Sequence, residues 1–384
     1  MDLSQRLAEQ SAQGLLRQHR VVEGPQQIHI KVDGVECINF TSNDYLGLAN
    51  HPQVKAAFKA AVDQYGVGSG AAHLVSGHTK AHRQLEEELA AFTGRDRALL
   101  LSTGYMANIA VLSTLTDRHD VIYQDRLNHA SLIDGGMMSR AKVSRYPHLD
   151  VNDLARRIKN EQPDGGIIAT DALFSMDGDV APLDQLADVA KTNGLMLVVD
   201  DAHGFGVLGD GRGSLADFDL DQDRVPVLMA TLGKALGSFG AFVAGSDEII
   251  ESLIQFARSY LYTTAPPAAI AEAARASLRI VRGDVARRER LQNNIAYFRQ
   301  QAHAQGLLLS DSSTAIQLLA MPDAASAMQV QAQMAAQGFM LSAIRPPTVA
   351  TPRLRMTLCS EHQQQDIAAM LSALAETIAS LKNE

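Results

Sequence analysis

The chain is predicted to be α/β, with a large, mostly parallel sheet domain flanked by helices and a smaller C-terminal α+β domain. Three observations predict this. Short apolar runs bounded by turn residues recur along the first three quarters of the chain, helical periodicities lie between several of them, and from about residue 290 long helices alternate with two isolated strands.

The elements follow in order. In MDLSQRLAEQSAQGLLRQHR, Leu3, Leu7, Leu15 and Leu16 predict a short amphipathic helix; the stretch lacks the apolar core of a secretory signal. RALLLST (97–103), GIIAT (166–170), LMLVVDD (195–201), VPVLMAT (225–231) and GAFVAG (240–245) read as strands buried on both faces. Helical patterns such as HRQLEEELAAF (82–92) and PLDQLADVAKTN (182–193) separate some of them, and Asn193-Gly194 is a good stop for the second. Further on come the helix ERLQNNIAYFRQQAHAQG, the strand TAIQLLAM, the helix SAMQVQAQMAAQG, the strand RLRMTL (353–358) and a last helix. The expected division is an N-terminal helix and extended segment (1–45), the large domain (46–289) and the small domain (290–384).

Composition narrows the function. With 384 residues and 46% hydrophobic content, the chain can bury a large core. A net charge of −9 without any Lys/Arg block argues against nucleic-acid binding, so an anionic ligand must be held locally. No run is long enough to span a membrane, and two distant cysteines, Cys37 and Cys359, fit a reducing cytoplasm.

In open α/β sheets ligands gather at the carboxyl ends of strands. There this chain places LSTGYMAN (101–108), with Gly104 and Tyr105 opening a helix whose amides suit a phosphate. It also places Ser175 in FSMDGD, Asp200, Asp201 and His203 in VVDDAHG, and Thr231 and Lys234 in TLGK. Each alone has an ordinary reading as a cap, a core imidazole or a loop lysine. Together they match what pyridoxal phosphate needs: a lysine for a Schiff base, an acid for the pyridine nitrogen and amides for the phosphate.

SNDYLGL (42–48), GSG followed by VSG (68–77), STGYMAN, NHASL (128–132), FSMDGD, VDDAHGFGVLG (199–209), TLGKALG and RLRMTL occur in order over nearly the whole chain. This series resembles the α-oxoamine synthases, fold-type I pyridoxal-phosphate enzymes that condense an amino acid with an acyl thioester and release carbon dioxide. The short length and IRPPTV (344–349) are most similar to the branch using L-alanine and a pimeloyl thioester. The residues leave open delivery on coenzyme A or an acyl carrier protein, and another amino acid or acyl group.

The resemblance implies roles. Lys234 is the Schiff-base lysine, Asp200 the partner of the pyridine nitrogen, and His129 of NHASL the imidazole against the ring. Ser175 and His203 lie near the phenolic oxygen; Gly104, Tyr105 and Thr231 hold phosphate and ring. Arg355 grips the amino-acid carboxylate, with Arg353 as fallback, and Arg17, Asn43 and Thr351 contact substrate. In YTTAPP (262–267), Thr264 is preferred over Thr263 for reaching the phosphate of a neighbouring subunit, since the family implies a homodimer with shared active sites.

Two other enzyme classes compete. Gly204-Phe205-Gly206-Val207-Leu208-Gly209 fits the G-x-G-x-x-G of a nicotinamide oxidoreductase, but Asp200 and Asp201 precede it and DGRGSLADFDLD after it lacks helical periodicity. Metal hydrolysis through His129, Asp200 and His203 lacks a compact ligand motif and leaves Lys234 idle. A binding module without catalysis leaves the strand-end cluster unexplained.

Overall fold

The computed structural model describes residues 2–12 and 15–381 and divides into two compact units, Asn43–Gln292 and a smaller one made of Met1–Ser42 with Asn293–Glu384. The N-terminal segment is therefore not a separate piece, as its expected boundary at 45 implied, but part of the C-terminal unit. The reason is strand pairing. β1 (Val22–Glu23), β2 (His29–Val32) and β3 (Val35–Asn39) form antiparallel neighbours, and their sheet is completed by a strand from the far end of the sequence, described below. The predicted N-terminal helix covers Leu3–Ala12 with no buried residue; Leu15 and Leu16 lie beyond it.

The larger unit holds β4 (Arg97–Leu101), β5 (Val121–Asp125), β6 (Lys142–Tyr146), β7 (Gly166–Asp171), β8 (Met196–Asp200), β9 (Val227–Thr231) and β10 (Ala241–Gly245). Their order in the sheet is β4-β10-β9-β8-β7-β5-β6. Pairs from β9 through β6 are parallel, and β10 alone runs against both its neighbours. The core is aliphatic on both faces, with Leu99, Val111, Ile122, Leu132, Ile167, Val198, Val227, Val243 and Leu253 in one cluster, each at most 3% exposed. Such burial makes both faces of these strands favour branched apolar residues.

Helix ends follow local chemistry. Thr103 caps Gly104–Thr114 by accepting the N–H of Met106, and Ser246 does the same for Asp247–Phe256 through Ile249, with two acids in its first turn. The helix Leu183–Thr192 stops at Asn193, and Gly194 follows in the left-handed region at φ +65°, as its sequence predicts.

Back in the smaller unit are β11 (Ile316–Ala320), β12 (Phe339–Met340), β13 (Ser342–Ile344) and β14 (Arg353–Thr357). β12 pairs in parallel with β3, while β14 lies between β11 and β13 in an antiparallel sheet. No described helix is long and apolar enough to cross a membrane.

Candidate functional site

Parallel pairing in register brings strand ends side by side: Asp171 at the end of β7 pairs with Asp200 at the end of β8. Both carboxylates are buried, 6% and 5% exposed. Burial, with the charge of Asp200 beside it, pushes the Asp171 carboxyl well above its ordinary range. Asp171 also accepts the backbone N–H of His129 at 2.6 Å.

The carboxylate of Asp200 is tied into a chain of side chains. One N–H of the Asn108 amide donates to Asp200 Oδ2 at 2.7 Å and the other to Ser131 Oγ at 2.8 Å; Ser131 Oγ lies 2.7 Å from His129 Nδ1. The Ser131 N–H also donates to that Nδ1, at 3.2 Å. An Nδ1 that accepts puts the ring proton of a neutral imidazole on Nε2. His129 is exposed as a residue, but partial desolvation of its ring lowers its pKa, and Lys234's charge lowers it further against the pull of Asp200. Lys234 is thus within electrostatic reach of both His129 and Asp171.

Lys234 itself is half-buried in the loop joining β9 to β10. Thr231 frames that loop: its hydroxyl donates to the Gly240 carbonyl at 3.0 Å and accepts the N–H of Gly233 at 3.2 Å. Gly237, at φ +60°, packs so closely on the 48–49 backbone that an added Cβ would stand 2.2 Å from Ala49 N. The opposing turn is held by Asp44, whose carboxylate accepts the N–H groups of Leu48 and Ala49. From the same segment the Tyr45 hydroxyl meets His203 Nδ1 at 2.6 Å and reaches Asn43 Oδ1 at 3.3 Å.

Gly104 opens its helix, and a Cβ there would meet only the Met229 side chain, at 3.7 Å, so no steric contact inside the chain demands the glycine. Tyr105 is 41% exposed, with its hydroxyl donating to Asp134. Ser175 lies half-buried in the loop 173–180, closed by the bridge Leu173–Val180. Thr264 is exposed and Thr263 half-buried.

The larger unit therefore brings together Lys234, Asp200 and His129, and a Tyr45-centred group with His203 and Asn43. Four residues that sequence reasoning did not single out hold them: Asn108, Ser131, Asp171 and Tyr45. Three lie inside the motifs STGYMAN, NHASL and SNDYLGL; their role is visible only once residues 23 to 158 positions apart are neighbours. Arg17, Thr351 and Arg355 belong to the smaller unit. Arg355 is buried on β14, 6% exposed, whereas Thr351 is exposed and its carbonyl accepts from Arg353 Nε. Arg17 donates to Thr348 Oγ1 at 3.3 Å and, with Gln10, Leu16 and residues 343–348, lines a cavity of about 550 Å³.

The donor set fits pyridoxal phosphate: a buried carboxylate with fixed orientation, a lysine on a framed loop, an imidazole with a set tautomer, and a helix N-terminus entered through glycine. It does not fit a dinucleotide. Gly204 abuts Asp201, where an added Cβ would meet Oδ1 at 2.2 Å, and Asp201 is itself occupied by the N–H and hydroxyl of Ser214. DGRGSLADFDLD contains only the short helix Ser214–Asp217 beside a single turn, Gly209–Gly211, too little for a phosphate-binding start. Among the described residues no group of three His, Cys, Asp or Glu side chains is placed to hold a metal ion.

Comparison with known proteins agrees. Residues 35–374 match the family "Aminotransferase class I and II". The 8-amino-7-oxononanoate synthase of Methylococcus capsulatus is 53% identical over 380 residues, covering 98% of each chain. Among solved structures, an 8-amino-7-oxononanoate synthase from Francisella tularensis is 35% identical with a TM-score of 0.79, covering 90% of this chain and 99% of that one. A serine palmitoyltransferase from S. paucimobilis with PLP and myriocin bound is 27% identical with a TM-score of 0.94, covering 100% of both chains.

Proposed function

The chain belongs to the aminotransferase class I and II family, and from that premise we propose that it condenses L-alanine with a pimeloyl thioester to give 8-amino-7-oxononanoate, carbon dioxide and free thiol, a step of biotin biosynthesis. The observation that carries this is near-full-length identity of about half to relatives of that name. The serine palmitoyltransferase likeness is at 27% identity and speaks for the shared cofactor and fold more than for the acyl group.

Pyridoxal phosphate, when bound, supplies an aldehyde for an amine to condense with and a ring that stabilises negative charge at the amino-acid α-carbon. We assign Lys234 as the amine that holds it between turnovers and, once freed by alanine, takes the α-proton. Asp200 keeps a proton on the ring nitrogen, and its orientation is set by Asn108 and the Ala202 N–H. His129 presents Nε2–H, its tautomer fixed through Ser131, to polarise the thioester oxygen. Gly104, Tyr105 and Thr231, with Thr264 of a partner subunit, are assigned to phosphate and ring; Ser175 and His203 to the phenolic oxygen. Arg355 is assigned to the amino-acid carboxylate, which its planar fork suits, and Arg17, Asn43 and Thr351 to substrate. A cytoplasmic homodimer and acyl delivery on coenzyme A or a carrier protein belong to the same proposal.

The test is direct. Protein reconstituted with the cofactor, reduced with borohydride and digested should carry the pyridoxyl label on the peptide containing Lys234. Assayed against a panel of amino acids and thioesters, it should release 8-amino-7-oxononanoate fastest with L-alanine and a pimeloyl thioester. A label elsewhere removes the site assignment, and preference for another pair removes the substrate assignment.

A further inference from the structure

Beyond the residues assigned above, one imidazole joins two of the strand-end loops. His148 follows β6 and lies between two carboxylates: Nδ1 is 3.0 Å from Asp125 Oδ1 and Nε2 is 3.1 Å from Asp179 Oδ2. We propose that His148 is a positioning residue for the reaction, its ring tying the turn that leads into His129 to the loop that carries Ser175. This rests on the function proposed above.

Both ends of the tie are built for it. Asp125, at the end of β5, is 1% exposed and accepts the N–H of Leu127 at Oδ1 and of Leu149 at Oδ2, both at 2.8 Å; its carbonyl accepts the N–H of Asn128. It therefore fixes the turn that His129 follows. Asp179 closes the other loop: its carbonyl accepts the N–H of Phe174, and the Phe174 ring meets the His148 ring edge-on at 4.5 Å. Ser175 is the next residue. The backbone beside His148 is also specialised, since Leu149 adopts φ +56°, a left-handed conformation unfavourable for leucine. Such strain persists where the surroundings enforce it, and here the Leu149 N–H is held by Asp125 itself.

Two acceptors, one at each ring nitrogen, require both nitrogens to carry protons, which only the imidazolium does. Burial works against that charge, but the hydrogen bonds and charges of Asp125 and then Asp179 outweigh it and hold the pKa above its ordinary value. Those carboxylates are the charged groups acting on the ring; Tyr146, two residues earlier on β6, is a buried phenol pushed upward by burial and by the charge of Asp125. Below its raised pKa the ring makes both ties. As pH rises through it, one proton and one tie are lost.

The test uses the holoenzyme and three variants, His148→Asn, which keeps a donor near the Nδ1 position, His148→Gln, which keeps one near Nε2, and His148→Ala. Hydrogen-exchange protection of residues 173–180 and 126–129 is measured alongside kcat and KM for L-alanine across pH. H148A is expected to lower protection of both segments, and kcat, on the order of tenfold with little change in KM. H148N should spare 126–129, H148Q should spare 173–180, and the alkaline fall of kcat expected in the parent should vanish in both. Unchanged exchange in both segments, or a uniform loss across the protein with the alkaline limb intact, overturns the proposal. The exchange result does not depend on the substrate pair, so a failed product assay in the parent enzyme would remove the activity reading while leaving the tie to be judged on its own.

Discussion

Two histidines, one in each unit, have their pKa lowered by desolvation of the ring, and comparing them shows what marks a site. His362 in the smaller unit has its pKa held down at about 4, first of all by burial. It stacks on Phe40 at 4.3 Å, accepts the N–H of Cys359 and meets the Asn39 carbonyl at 3.1 Å. Its bonding partners are backbone. His129 in the larger unit is exposed as a residue, its pKa is also lowered first of all by desolvation, and Asp171, Asp200 and Lys234 all act on or bond to it. Burial of an imidazole is thus compatible with a plain core; convergence of titratable groups is the distinguishing sign.

The widest gap opens at Lys234. K234A should lower kcat on the order of 10³-fold or more while leaving the melting temperature and noncovalent cofactor retention near those of the parent; product formation followed by mass spectrometry reads it, and turnover within tenfold of the parent removes the role. For His362 the contrast is with pH. The unfolded chain takes up a proton near 6.5 while the folded site resists until about 4, so stability should fall as pH drops through that window, by about 3 kcal/mol from this residue. His73, held near 3 by burial beside His82 and His78, adds to the same slope. Denaturant melts of the parent and H362Q should show a shallower acid slope in the variant, with kcat at neutral pH unchanged.

D200N and H129N should each cost on the order of 10²-fold in kcat. If H129N instead spares turnover, the two imidazoles are alike after all. The smallest effect is expected from Y45F. It removes the hydroxyl at His203 Nδ1 and should cost about 1 kcal/mol, read as a few-fold change in kcat/KM with the fold intact.

The sequence exposes the strands that are apolar on both faces and hides the others for a physical reason. Strands β4, β7, β8, β9 and β10 are continuous apolar runs, whereas VIYQD and KVSRY, which form β5 and β6, carry polar residues. Gln124 of β5 is fully buried with its amide N–H donating to the Leu132 carbonyl, a bond no local pattern announces. Strand β6 lies at the sheet edge and can afford Lys142 and Arg145. In the N-terminal sheet, Lys31 and Glu36 interrupt the pattern, and the partner strand β12 lies some 300 residues away. The site divides the same way: Lys234, Asp200, His129 and His203 stand in recognisable motifs, but Asn108, which spends its amide protons on Asp200 and on the Ser131 that bonds His129, looks like any helix asparagine.

The connection that carries Lys234 begins and ends on adjoining antiparallel rungs, with Thr231 opposite Ala241. A tether clamped at both feet has a reach set by its own contour. The amine can advance and withdraw, but the sheet beneath lends it no slack, because sliding either strand by one residue would invert its faces. Any residue inserted between 232 and 240 must be absorbed as a local bulge, so the length of this one span decides how far the nitrogen travels.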